Sequence, residues 1–126
     1  MSHSEVISVY QQNSVRGASP VGLVLALYDT TLRDFRRALQ AMDGGNVETR
    51  VSELNHALTV IAHLKSILDH ERGGQAAMQF EKFYEITHGM ILSVNVNSSR
   101  ETLLKLIDMF SSMRQAWEQA ELQLTK

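Results

Sequence analysis

The chain has 126 residues, of which 44% are hydrophobic and 21% charged, with a net charge of −2 and no cysteine. That length makes one domain able to bury its own core. The slight acidic balance argues against a nucleic-acid binder, and the absence of cysteine excludes a disulfide framework, a thiolate metal site and a Cys nucleophile.

Residues 1–18 are polar and rich in Ser, Gln and Asn, with a small apolar set, Val6, Ile7, Val9 and Tyr10. This stretch is too short for an independent helix in water and reads as a tail that docks onto something larger. It has no apolar run preceded by basic residues, so no secretory signal is visible. No run approaches 18 apolar residues, so no membrane insertion is expected. Ser19 and Pro20 then mark a helix start, Ser as N-cap and Pro at the first helical position.

Helix one is predicted over about Pro20 to Met42. Val21, Val24, Leu25, Tyr28, Thr31, Leu32, Phe35, Leu39 and Met42 share one face. Arg33 and Arg37 point away from it, as a solvated face. Asp43-Gly44-Gly45-Asn46 ends it, with glycine for the left-handed C-cap and Asn46 to cap the next helix.

Helix two is predicted from near Val47 to Gly73-Gly74. Leu54, Leu58, Ile61 and Leu68 form its core stripe. Val60 and Ile67 lie well off that stripe, and His56, His63 and His70 lie nearly opposite it. A helix needs one face to join a core, so the second apolar strip asks for another partner, inside the fold or outside it.

Helix three is predicted from about Gln75 to Val96, with a core stripe of Ala76, Phe80, Phe83, Thr87, Met90 and Val94. Leu92 and Val96 point the other way, with Gly89 beside them. Ser98 and Glu101 have capping-box spacing for helix four, which runs to about Leu124. Leu103, Leu106, Ile107, Phe110, Met113 and Trp117 face its core; Leu104 and Met109 do not.

Four helices of about 22–26 residues, each roughly 33–39 Å long, joined by short connectors, fold as antiparallel neighbours. The expected fold is therefore all-α: an up-down-up-down four-helix bundle over 19–126, with residues 1–18 as an N-terminal segment docking on it.

Two motifs raise the question of metal chemistry. Glu53…His56 and Glu85…His88 are both Glu-x-x-His, which di-iron bundles use on two helices with inward side chains. Here both motifs fall on outward faces, and helix one has no Glu. The histidines at 56, 63 and 70 recur every seven residues, about 10 Å apart, too far to share one ion. No nucleophile elbow and no phosphate-binding glycine loop is present. No catalytic residue, metal site or cofactor is expected, and the chain reads as a non-enzyme.

What remains is a surplus of outward apolar positions: Val60, Ile67, Gly89, Leu92, Val96, Leu104 and Met109. As a set they describe grooves for amphipathic helices of a partner.

Several short motifs resemble those of a known family. Ala18-Ser19-Pro20, Leu23 and Leu27-Tyr28-Asp29 resemble the ASP-x-x-L-x-x-x-LYDG stretch of the flagellin-specific export chaperones, the FliS family. Tyr10-Gln11 resembles the tyrosine of that family's N-terminal segment. Asp69 with Glu71-Arg72-Gly73-Gly74 resembles its D-x-EKGG turn, Phe83-Tyr84 its LYDYM stretch, Asn95 the Asn of its ANL, and Ala116-Trp117 its late AW. Departures occur at Thr30, at Val94 and at His88-Gly89, where the family usually carries a basic pair.

The resemblance implies a cytoplasmic chaperone of flagellar type III secretion. It would bind the disordered C-terminal region of flagellin, prevent premature polymerisation and help deliver it to an export gate component. It also implies that the N-terminal segment lies where the client binds, which makes Ile7 and Tyr10 a displaceable cover. The expected partner-binding set is Ile7, Tyr10, Val60, His63, Ile67, Gly89, Leu92, Val96 and Leu104. The competing expectation is a generic helical interaction module, or a homodimer that buries the same strips against itself.

Overall fold

The computed structural model describes residues 20–124. The described residues form four helices: α1 (Pro20–Asp43), α2 (Val47–Ser66), α3 (His70–Asn97) and α4 (Arg100–Leu124). α1 packs side by side with α2 and α4, and α3 with the same two, while across the diagonal α1 and α3 meet through side chains in the core, Tyr28 against Tyr84. Short connectors and this neighbour order give the expected antiparallel four-helix bundle.

The α1–α2 turn forms as its residues dictate. Asn46 N donates to Ala41 O at 2.8 Å and Gly45 N to Met42 O at 3.1 Å, a Schellman closure. Gly45 takes φ +73°, a conformation that is strained with a Cβ. The Asn46 side chain then accepts from Thr49 N at 3.0 Å and starts α2.

The next boundary corrects the sequence reading. α2 stops at Ser66 rather than Gly73-Gly74. Asp69 takes over as the N-cap of α3, its carboxylate accepting from Arg72 N at 3.1 Å. Gly74 sits inside α3 in a non-helical conformation, φ 50°, ψ −123°. A straight helix would hold His70 and Glu81 about 16 Å apart; the kink at Gly74 lets them pair at 3.2 Å. His70 therefore leaves the row of His56 and His63.

The α3–α4 cap is also displaced by one residue. Ser98 is the C-cap of α3 in the left-handed region, φ 52°. Ser99, not Ser98, caps α4, its Oγ accepting from Thr102 N at 3.2 Å. Ser98 Oγ instead accepts from Arg50 Nη1, and Arg50 Nη2 donates to Asn95 O at 3.1 Å. These bonds tie the start of α2 to the end of α3.

The core is built on rings. Phe110 packs against Tyr28, Phe35 and Phe83 with centroids 5.2–5.4 Å apart. Leu54, Ile61, Leu64, Ile91, Val94, Leu103 and Leu106 fill the space around them. Val60 belongs to this core as well, with 0% exposure. The expectation of an outward Val60 rests on a single core direction for α2. That helix has two neighbours, and the strip carrying Val60 is the one turned toward α1.

The same flank holds a buried polar pair. Asp34 has a side chain with no exposed surface, and its Oδ2 lies 2.5 Å from His56 Nδ1. Arg33 Nη2 stands 3.6 Å from its other oxygen. Burial raises the Asp34 pKa above its ordinary value, against the lowering effect of His56. His56 is thus a mostly buried partner of α1, not an outward residue.

Candidate binding surface

The exposed apolar residues concentrate on α3. Met78, Ile86, Leu92 and Val96 all face solvent, with Ile86 at 59%, Leu92 at 46% and Val96 at 81%. Single exposed hydrophobes are ordinary; a run of them along one helix is a candidate interaction surface. Gly89 lies among them, and a Cβ built on it meets nothing within 4 Å.

A recess of about 340 Å³ opens between α2 and α3, lined by Ile61, Ala62, Lys65, Tyr84, Glu85 and His88. Lys65 Nζ and Glu85 Oε1 pair across it at 3.3 Å. Further toward the Arg50–Asn95 crossing, exposed Val47 and half-buried Val51 and Leu58 on α2 extend the apolar character of this flank.

A second cavity of about 410 Å³ lies at the end of the bundle where α1 begins and α2 ends. Its walls are mainly apolar: Val21, Val24, Leu64, Ile67, Phe80 and Trp117. Tyr84 lines both spaces. The Tyr84 and Tyr28 hydroxyls share a hydrogen bond of 2.9 Å in the interior. Burial pushes the Tyr28 pKa up to about 12 and raises that of Tyr84 further. Neither phenol gives up its proton near neutral pH, so this pair is structural.

The structure groups some of the expected residues and separates others. Gly89, Leu92 and Val96 share the outer flank of α3. Ile67 is 36% exposed and lines the end cavity. His63 is half-buried, one heptad after His56 on the α1-facing flank. Leu104 is exposed on α4, in the row of Arg100 and Arg114, which reach Asp43 and Asp29 of α1. It is therefore on a different side of the bundle from Leu92. Val60 offers no surface at all. Ile7 and Tyr10 lie outside the described residues.

Sequence reasoning misses Met78, Ile86 and Val47 as surface positions. The wheel of helix three puts Ile86 at the edge of its core, and Val47 registers only as a helix start. The signal is present in the spacing of Ile86 from Gly89 and Leu92, once the core direction of α3 is taken from Tyr84, Thr87, Ile91 and Val94, all buried.

The two Glu-x-x-His motifs are otherwise engaged. Glu53 stands 3.9 Å from Arg37, His56 contacts Asp34, and Glu85 pairs with Lys65. Among the described residues no three His, Asp or Glu side chains are placed to hold one metal ion, and no helix is long and apolar enough to cross a membrane.

The pattern of the family described as flagellar protein FliS matches residues 3–124. The chain belongs to the FliS family. The flagellar secretion chaperone FliS of Bacillus subtilis (strain 168) is 28% identical over 113 residues, covering 90% of this chain and 84% of that protein. The one from Salmonella typhimurium is 27% identical over 109 residues, covering 86% and 81%. That of Campylobacter jejuni is 24% identical over 119 residues, covering 94% and 93%. These FliS relatives are named chaperones rather than enzymes, and the family match spans all four helices.

Proposed function

We propose that this protein is a flagellar secretion chaperone that binds the disordered C-terminal region of flagellin in the cytoplasm. By holding it, the chaperone prevents premature polymerisation and assists its delivery to the flagellar export apparatus. The observation that carries this reading is the exposed apolar flank of α3, Ile86, Leu92 and Val96 beside the α2–α3 recess, in a member of the FliS family. A disordered segment that folds on binding loses about 2–5 kcal/mol to ordering. It recovers this by burying its own apolar helix faces, and a rigid bundle with an apolar flank supplies the complementary surface.

Ile67 and the end cavity extend the binding surface to the end of the bundle. Val21 lines that cavity and directly follows the first twenty residues. In this reading Ile7 and Tyr10 cover it until the client arrives. An export gate component then receives the loaded complex.

Co-expression with flagellin, followed by light scattering, tests the proposal. A soluble one-to-one complex is expected. A chain that remains free of flagellin and forms a dimer of its own supports the competing homodimer.

A further inference from the structure

Arg50, in the first turn of α2, is only 6% exposed, and among the described residues no carboxylate pairs with it. Its guanidinium turns to the end of α3 instead. Nη1 donates to Ser98 Oγ, and Nη2 donates to Asn95 O at 3.1 Å. Ser98 is the left-handed C-cap of α3, its N donating to Val94 O at 2.8 Å. The last carbonyls of a helix have no partner within it and form the negative end of its dipole. A basic side chain of the helix's own last turn commonly answers both needs, and α3 has none there. Arg50 supplies the answer from the neighbouring helix: one donor for an orphan carbonyl, one for the C-cap residue, and a positive charge at the negative end.

The turn it holds is the one that carries Val96, 81% exposed, with exposed Leu92 one turn before. Beyond buried Val94, that turn consists of half-buried Asn95 and exposed Val96 and Asn97. Packing therefore does little to keep it from fraying, the usual behaviour of a helix end. The bonds from Arg50 act where packing does not.

We propose that Arg50 is a positioning residue of the binding surface: itself buried, it clamps the last turn of α3 and so holds Val96 in the conformation that a flagellin helix meets. This rests on the flagellin reading above. A surface already ordered before the client arrives loses less freedom on binding.

Titration calorimetry of the full chain with a C-terminal flagellin fragment tests this, beside hydrogen exchange on the free chain. In Arg50→Gln the amides of Val96, Asn97 and Ser98 exchange faster, and affinity falls about fivefold, the loss for a turn that is formed about a fifth of the time. Val96→Ser weakens binding by itself, and in the double variant the two losses fail to add, because Arg50 acts through Val96. The loss from Ile67→Ser, near the other end of α2, adds in full to that of Arg50→Gln. Arg50→Lys keeps the charge without the planar fork and gives a smaller loss; it goes through the same cycle where Arg50→Gln melts below the assay temperature. Binding by Arg50→Gln within about twofold of the unaltered chain, or a loss that adds in full to that of Val96→Ser, overturns the inference and leaves the flagellin reading standing. Absence of binding by the unaltered chain overturns both.

Discussion

Asp34 of α1 and His56 of α2 face each other across 2.5 Å in the interior of the α1–α2 interface, and the Asp34 side chain has no exposed surface. A buried carboxylate hydrogen-bonded to His56, with Arg33 farther off at 3.6 Å, makes the two ends of the pair unequal. His56→Ala leaves Asp34 without that partner and costs about 3–5 kcal/mol. Asp34→Asn removes the charge and costs much less. Urea denaturation of the two variants at neutral pH checks the asymmetry; equal losses would contradict it.

The same pair fixes the sign of a pH effect. Burial raises the Asp34 pKa above 3.8, so the folded protein holds that proton more tightly than the unfolded chain. Its contribution to stability is complete below the unfolded value and is lost as pH rises through the raised, folded value. The unfolding free energy of the natural chain, relative to Asp34→Asn, is expected to fall as pH increases upward from 3.8. A difference that stays flat or rises over that range goes against the assignment.

Tyr28 and Tyr84 hydroxyls meet at 2.9 Å in the interior. Each Tyr→Phe change leaves one buried hydroxyl without its partner, at about 1–3 kcal/mol. The double variant loses less than the sum of the two, a coupling read from a double-mutant cycle in thermal melts. Absorbance titration should show Tyr28 ionising only near pH 12.

Val60 and Leu92 share an outward assignment in the sequence and part company in the structure. Val60→Ala opens a hole in the core and costs about 1–3 kcal/mol. Leu92→Ser, at an exposed position, changes stability by no more than about 0.5 kcal/mol while weakening flagellin binding. Melting curves and calorimetry on the two proteins side by side give the comparison. A large stability loss in Leu92→Ser would make it a core residue.

Deleting residues 1–17 tests the displaceable cover. The truncated chain should melt as a folded bundle and bind flagellin more tightly. Unchanged affinity, or folded protein that no longer binds, rules out simple competition.

The helices are legible because their ends are written in local chemistry. Pro20, Gly45 and Asn46 act on their immediate neighbours, and the structure places these ends within a residue of expectation. The end of α2 is not legible, because an apolar period continues through Leu68 while Asp69 caps a new helix. A period says which side is buried; it does not say where the backbone turns. Val60 fails for a different reason. A single wheel assigns one core direction, but a helix between two neighbours buries two flanks. The Asp34–His56 pair links residues 22 positions apart, and no local pattern announces it. Leu92, Val96 and Gly89 are readable as outward residues because α3 turns one wide flank away from both of its neighbours.

Gly74 is the corner at which two stretches of the end cavity's wall meet. Arg72 and Gly73 on one side of the kink and Ala77 and Phe80 on the other all line that space. How those two stretches of wall meet is set by one pair of backbone torsions, φ 50° and ψ −123°. Any side chain at position 74 strains that geometry, so a substitution at this solvent-exposed residue acts on the cavity through the backbone, by shifting one stretch of its wall against the other.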